Sequence, residues 1–238
     1  MFFDLKMMGL FSMLFGAGVV LYAAKPTAAG VSIDRLWFRR MFWLLAFGLV
    51  HSYLIWDGDI LVPYALCGIL LLWWVRDWSP RALMAGSAGL LLTGAAMSVV
   101  HGLNREGMSE AARAQELEMW MPTPEQVEAQ LAAMLGSYTD VTLHRAPFVF
   151  MTQTFFFMAF FLWRCGGMML LGMALLKAGF LDGSRPVRDY VWTALGCLAL
   201  GLALAGFGVS QLESIGFSMP ARTSADLWNY GGAVLASV

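Results

Sequence analysis

Residues 7–24 read MMGLFSMLFGAGVVLYAA, eighteen positions without a charge. A helix needs roughly 20 mostly apolar residues to cross about 30 Å of hydrocarbon, and this run, closed by Lys25, meets that need. Ser12 and Gly16 stand four apart, which puts two small residues on one helix face where a neighbouring helix can approach closely. The rest of the chain is of the same character. Of its 238 residues 59% are hydrophobic and 13% charged, far more apolar than a soluble domain. The expected fold is an all-α, polytopic transmembrane helix bundle, because an open sheet cannot satisfy its backbone in lipid. A net charge of −1 offers no field for nucleic acid, so membrane lipids are the partners that composition predicts.

Outward from this run, further spans are expected at 41–56 (MFWLLAFGLVHSYLIW), 60–75, 82–100, 148–176 and 191–212, about six in all. Trp73 and Trp74 close the third as interfacial residues. The run 148–176 would extend roughly 43 Å as a straight helix. That exceeds the hydrocarbon thickness, so it is expected to tilt, or to break at Gly166 and Gly167 beside Arg164. Between 101 and 147 the texture turns polar and acidic. There Thr123, Pro124 and Gln126 form a capping-box signal, and Val127, Leu131, Met134 and Leu135 make one apolar stripe. This segment is expected to be an amphipathic helical cap within a single membrane domain. Nine of the fifteen lysines and arginines fall in 25–40, 76–81 and 177–190. The positive-inside rule places those loops in the cytoplasm, and the cap outside. The first span is too long, and lacks a following small-residue cleavage site, to be a signal peptide. Cys67, Cys165 and Cys197 sit in apolar runs without CxxC spacing, as packing thiols do, and no metal-ligand pattern is present.

Against this background the stretch 51–68, HSYLIWDGDILVPYALCG, stands out. A charged group inside the bilayer costs about 2.5 kcal/mol or more, so ionisable residues there face protein or water and often mark a site. His51 fits either a proton-transfer group or a neutral histidine bonded to a neighbouring helix. Asp59 fits the N-cap of the next helix, with Gly58 giving the turn flexibility and Pro63 tolerated near the helix start. One turn needs one cap, which leaves Asp57 to bind something or to orient His51, with Tyr64 sharing its space. Arg164 is expected at a depth similar to His51, within reach of it, either gripping a phosphate or carboxylate or serving as a structural ion pair or snorkelling side chain. Arg39 and Arg40 fit lipid-headgroup anchors or a grip on a phosphorylated donor. His101 and His144 read as solvated residues flanking the cap.

The segments LFSMLFGAG (10–18), RR (39–40), FGLVHSYLIWDGDILVPYALCG (47–68) and MMLLGMALLKAGFL (168–181) occur in that order. As an ordered set they resemble the YeiB-like family of bacterial inner-membrane proteins, called domain of unknown function four-eighteen. The resemblance implies a multi-pass protein of the bacterial inner membrane. It also implies one more helix ahead of this chain, bearing an LDxLRG-like motif, and further helices after it, so that the sequence reads as truncated at both ends. It further implies a distant similarity to transmembrane acyltransferases, which pass an acyl group from a cytoplasmic donor to an extracytoplasmic acceptor. On that implication His51 and Asp57 are the catalytic pair. Arg164, Arg39, Arg40, Tyr64 and Asp59 then bind substrate or an anionic donor such as acyl-CoA. A transporter of a small organic anion and a non-catalytic membrane scaffold are the competing expectations, and a homo-oligomer is compatible with each. No cofactor can be named from the residues.

Overall fold

The computed structural model describes residues 2–25, 30–112, 114, 122–214 and 222–237. Among them every regular element is helical. Helix α1 spans Phe2–Ala23 and α2 Ile33–Val50, the latter continued by a π-helical turn His51–Ile55. Helix α3 is short, Leu61–Cys67, and continues as π-helix over Gly68–Leu72. Next come α4 (Pro80–Glu106), α5 (Pro124–Met134) and α6 (Tyr138–Met151). The last runs through a π-helical stretch, Thr152–Phe161, into α7 (Leu162–Lys177) as one 40-residue rod. Helices α8 (Val187–Ser214) and α9 (Arg222–Leu235) complete the order. Four described helices are long and apolar enough to cross a membrane: Lys6–Ala23, Pro80–Val100, Tyr138–Lys177 and Val187–Ser214. The expected second span, 41–56, is the second half of α2 with its π-helical turn, and Asp34, Arg35, Arg39 and Arg40 lie in the half of α2 ahead of it, while the expected third span, 60–75, holds a 12-residue apolar helix, Leu61–Leu72.

The core is the crossing of α1 and α7. Tyr22 near the end of α1 packs on Trp37, which stacks on Trp73, and Lys177 at the end of α7 donates to the Trp78 carbonyl at 2.8 Å, so both helices end on the same side of the bundle and run parallel. The contact is reciprocal. A Cβ built on Gly16 would lie 1.9 Å from the Met169 carbonyl oxygen, and one on Gly172 would lie 2.0 Å from that of Met13. Only glycine lets the backbones come this close, so the small-residue face read from Ser12 and Gly16 is the centre of the bundle. Helix α4 packs antiparallel on α7, where the Ser87 hydroxyl donates to the Gly167 carbonyl at 2.7 Å. A second glycine crossing, Gly201 on Gly232, joins α8 and α9 antiparallel.

Three expectations need correction. The rod 138–177 does not break at Gly166 and Gly167, which lie inside continuous α7. Those glycines accept the side chains of Leu71 and Leu91, and the irregularity sits earlier, in the π-helical run. Trp73 is not interfacial. It is 1% exposed, stacks on Trp37 at 4.9 Å, and donates its indole N–H to Asp34 at 2.7 Å, while Trp74 is exposed as expected. Gly58 does not adopt a positive φ. It is small because a Cβ there would meet the Trp56 ring at 2.5 Å.

The capping box at Thr123 forms as read, with the Gln126 side chain accepting from the Thr123 N–H at 2.9 Å. The stripe of α5 is uncovered, with no residue of that helix buried. Arg113 and residues 115–121 of the expected cap lie outside the described residues.

Candidate functional site

Helix α2 ends in a wide turn. The Trp56 N–H donates to the His51 carbonyl at 2.8 Å, five residues back, and Trp56 then adopts an extended conformation that terminates the helix. The last carbonyls of a helix have no partner within it. Here the Leu54 carbonyl accepts from the Tyr138 hydroxyl, and the Ile55 carbonyl from the Arg145 guanidinium at 3.2 Å. Both donors stand on α6, so the polar segment holds the end of the helix that carries His51.

The His51 ring meets Asp59. Nδ1 lies 2.8 Å from Asp59 Oδ1, and Asp59 Oδ2 accepts the Val62 N–H at 2.9 Å. Asp59 therefore caps α3, as read, and with its other oxygen engages His51. The carboxylate side chain is 2% exposed, whereas that of His51 is 32% exposed. With a carboxylate as partner, Nδ1 is the donor, which leaves Nε2 as the basic nitrogen. Trp56 sets its ring edge-on to His51 at 6.1 Å. Beside them the buried Ser52 hydroxyl accepts from the Gln153 amide at 2.7 Å, which ties the His51 turn to the π-helical stretch of the rod.

Four sequence expectations change at this site. Asp59, not Asp57, orients His51, because the chain turns outward at Trp56 and carries Asp57 away. Asp57 is half-buried and has no hydrogen bond or ion pair among the described residues. Tyr64 does not share that space. Its hydroxyl points to α1, within 2.8 Å of the Ser12 hydroxyl and 3.1 Å of the Met8 carbonyl. Arg164 is fully buried but stands against α9, its guanidinium 4.6 Å above the Tyr230 ring and donating to the Tyr230 carbonyl at 3.3 Å. Its described contacts do not include His51.

Arg39 and Arg40 lie at the other end of α2, both exposed, with Arg40 over the Tyr22 ring at 5.4 Å. Sequence reasoning missed Ser52, Gln153, Tyr138 and Arg145. The only signal for them was polarity inside or just ahead of an apolar run.

No protein-family model and no solved structure matches the chain. It is 30% identical over 203 residues to YeiB, an uncharacterized protein of Escherichia coli K12; the match covers 84% of this chain and 49% of YeiB. Over 91 residues it is 42% identical to the uncharacterized YxaH of Bacillus subtilis, covering 38% of this chain and 22% of that protein. Over 71 residues it is 37% identical to an uncharacterized 39.9 kDa protein of Bacillus acidopullulyticus, covering 30% and 20%. The chain spans about half the length of YeiB and less of the other two. With similarity to YeiB running through 84% of its length, this helical membrane protein belongs to the YeiB-like family.

Proposed function

We propose that His51 and Asp59 form the general acid–base centre of a membrane enzyme of the acyltransferase-like type, acting on a hydroxyl acceptor at the extracytoplasmic end of α2. The observation that carries this reading is the contact of His51 Nδ1 with a buried, capped carboxylate at 2.8 Å. Such a partner fixes the ring and its tautomer, and it stabilises the imidazolium that forms when Nε2 takes up a proton. The partial exposure of His51 leaves Nε2 within reach of an acceptor. The positive-inside rule puts the arginine-bearing end of α2 in the cytoplasm, where an acyl donor such as acyl-CoA would be met.

The test is acyl transfer from radiolabelled acetyl-CoA to endogenous lipid or glycan in proteoliposomes of the full chain. A positioned acid–base group contributes about 10²–10⁴-fold. His51→Gln is therefore expected to lose at least a hundredfold, Asp59→Asn about tenfold, and Asp57→Asn little. Transfer by His51→Gln at the wild-type rate would overturn the reading.

A further inference from the structure

At the arginine-bearing end, a groove of about 310 Å³ lies between α1 and α2. Its walls are apolar: Leu14, Gly18 and Leu21 of α1 face Trp37 and Met41 of α2. Its mouth is cationic. Lys25 and Arg40 both line it, and neither has a carboxylate partner among the described residues. Arg40 is held over the Tyr22 ring instead, an arrangement that positions a guanidinium without neutralising it. The space over Gly18 is open, since a Cβ at that position would meet nothing within 4 Å.

An apolar slot ending in two cations fits a ligand with a hydrocarbon chain and an anionic head. Two wall residues decide where it comes from. Leu14 and Leu21 are 55% and 57% exposed, on a helix apolar enough to cross the membrane. The groove therefore opens sideways into the bilayer, not only toward water. From this geometry we infer that the groove is a binding site for one anionic phospholipid of the surrounding membrane. One acyl chain lies along Gly18 between α1 and α2, and the phosphate bridges Lys25 and Arg40. The inference does not depend on the role of His51, and its test reads binding alone.

The experiment is native mass spectrometry of the full chain in detergent, with phosphatidylglycerol or phosphatidylcholine added at equal concentration. Wild type is expected to retain one phosphatidylglycerol and not phosphatidylcholine. Lys25→Gln with Arg40→Gln removes both cations from the mouth and should lower retention about tenfold or more. Gly18→Leu fills the slot and should lower retention of the anionic lipid with no fall in the thermal midpoint, since its side chain enters open space. Arg188→Gln, an exposed cation elsewhere, should bind as wild type. Equal retention by the cation double variant and wild type would overturn the inference, as would equal retention of the two lipids. Displacement of phosphatidylglycerol by an equimolar acyl-CoA would also overturn it, by making the groove a site for a soluble acyl phosphate compound. Should Gly18→Leu fail to purify, the cation double variant decides alone.

Discussion

Gly16→Ala adds a single methyl group where α1 meets α7. The new Cβ would lie 1.9 Å from the Met169 carbonyl oxygen, against an ordinary contact distance of 3.4 Å, so the helices must part by 1.5 Å at their crossing. The obstacle is backbone, and no rotamer change can move it aside. Overpacking of a core costs about 1–3 kcal/mol, occasionally more, and a rigid carbonyl puts this site at the top of that range. Alanine returns about 1 kcal/mol of helix propensity relative to glycine. The net expectation is a loss of about 2 kcal/mol or more, which for a chain of this size lowers the thermal midpoint by roughly 4–8 °C.

Gly18→Ala, two residues along the same helix, is the matched control. Its Cβ meets nothing within 4 Å, so it should keep the propensity gain and raise the midpoint. Because Gly172 makes the mirror contact, one displacement relieves both clashes. Gly16→Ala with Gly172→Ala should therefore lose less than the two single losses together. The measurement is a thermal melt in detergent followed by tryptophan fluorescence. A midpoint for Gly16→Ala at or above that of Gly18→Ala would refute the close crossing, and strict additivity would refute the shared displacement.

Three further outcomes follow from the site and its surroundings. Arg145→Gln removes the donor that holds the Ile55 carbonyl, so amide hydrogen exchange across residues 51–56 should quicken, most clearly at Trp56; unchanged exchange would mean that α6 does not hold the turn. Asp59→Asn retains an N-cap residue but loses the charge that engages His51, so it should lower the midpoint by about 1 kcal/mol in stability, whereas Asp57→Asn should fall within about 0.5 kcal/mol of wild type; the reverse order in a melt would return Asp57 to the site. Arg164→Lys keeps the cation but loses the flat guanidinium over the Tyr230 ring and its geometry toward the Tyr230 carbonyl, so stability should fall by about 1 kcal/mol; an unshifted midpoint would show that the planar fork contributes nothing there.

What was legible in the sequence was what depends on local spacing. Ser12 and Gly16 share a face because they are four residues apart in a helix, and Thr123 caps because Gln126 stands three residues on. Asp59 was readable as a cap for the same reason. Its second role was not. Whether Asp57 or Asp59 reaches His51 depends on a five-residue turn and an extended Trp56, and no periodicity announces either. Trp73 and Trp74 are adjacent and chemically identical, yet one stacks in the core and the other faces outward, because Asp34 and Trp37, some 40 positions away, define which side is interior. Arg164 and Tyr64 are unusual on sequence alone, but their surroundings are not readable from it. Their partners, Tyr230 and Ser12, lie far along the chain, and depth in a membrane fixes only one coordinate of three.

The two helices at the centre are also far apart in time. Leu162 lies 139 positions after Ala23, and at about 5–20 residues per second a ribosome needs roughly 7–28 s to bridge them. For that interval α1 has its glycine face made and its partner not yet synthesised. A bare small-residue face is competent to take up another helix with a similar face, including the α1 of a neighbouring nascent copy. Whatever occupies that face in the interim must leave when α7 arrives, so the order of synthesis imposes an exchange of partners on the assembly of this bundle.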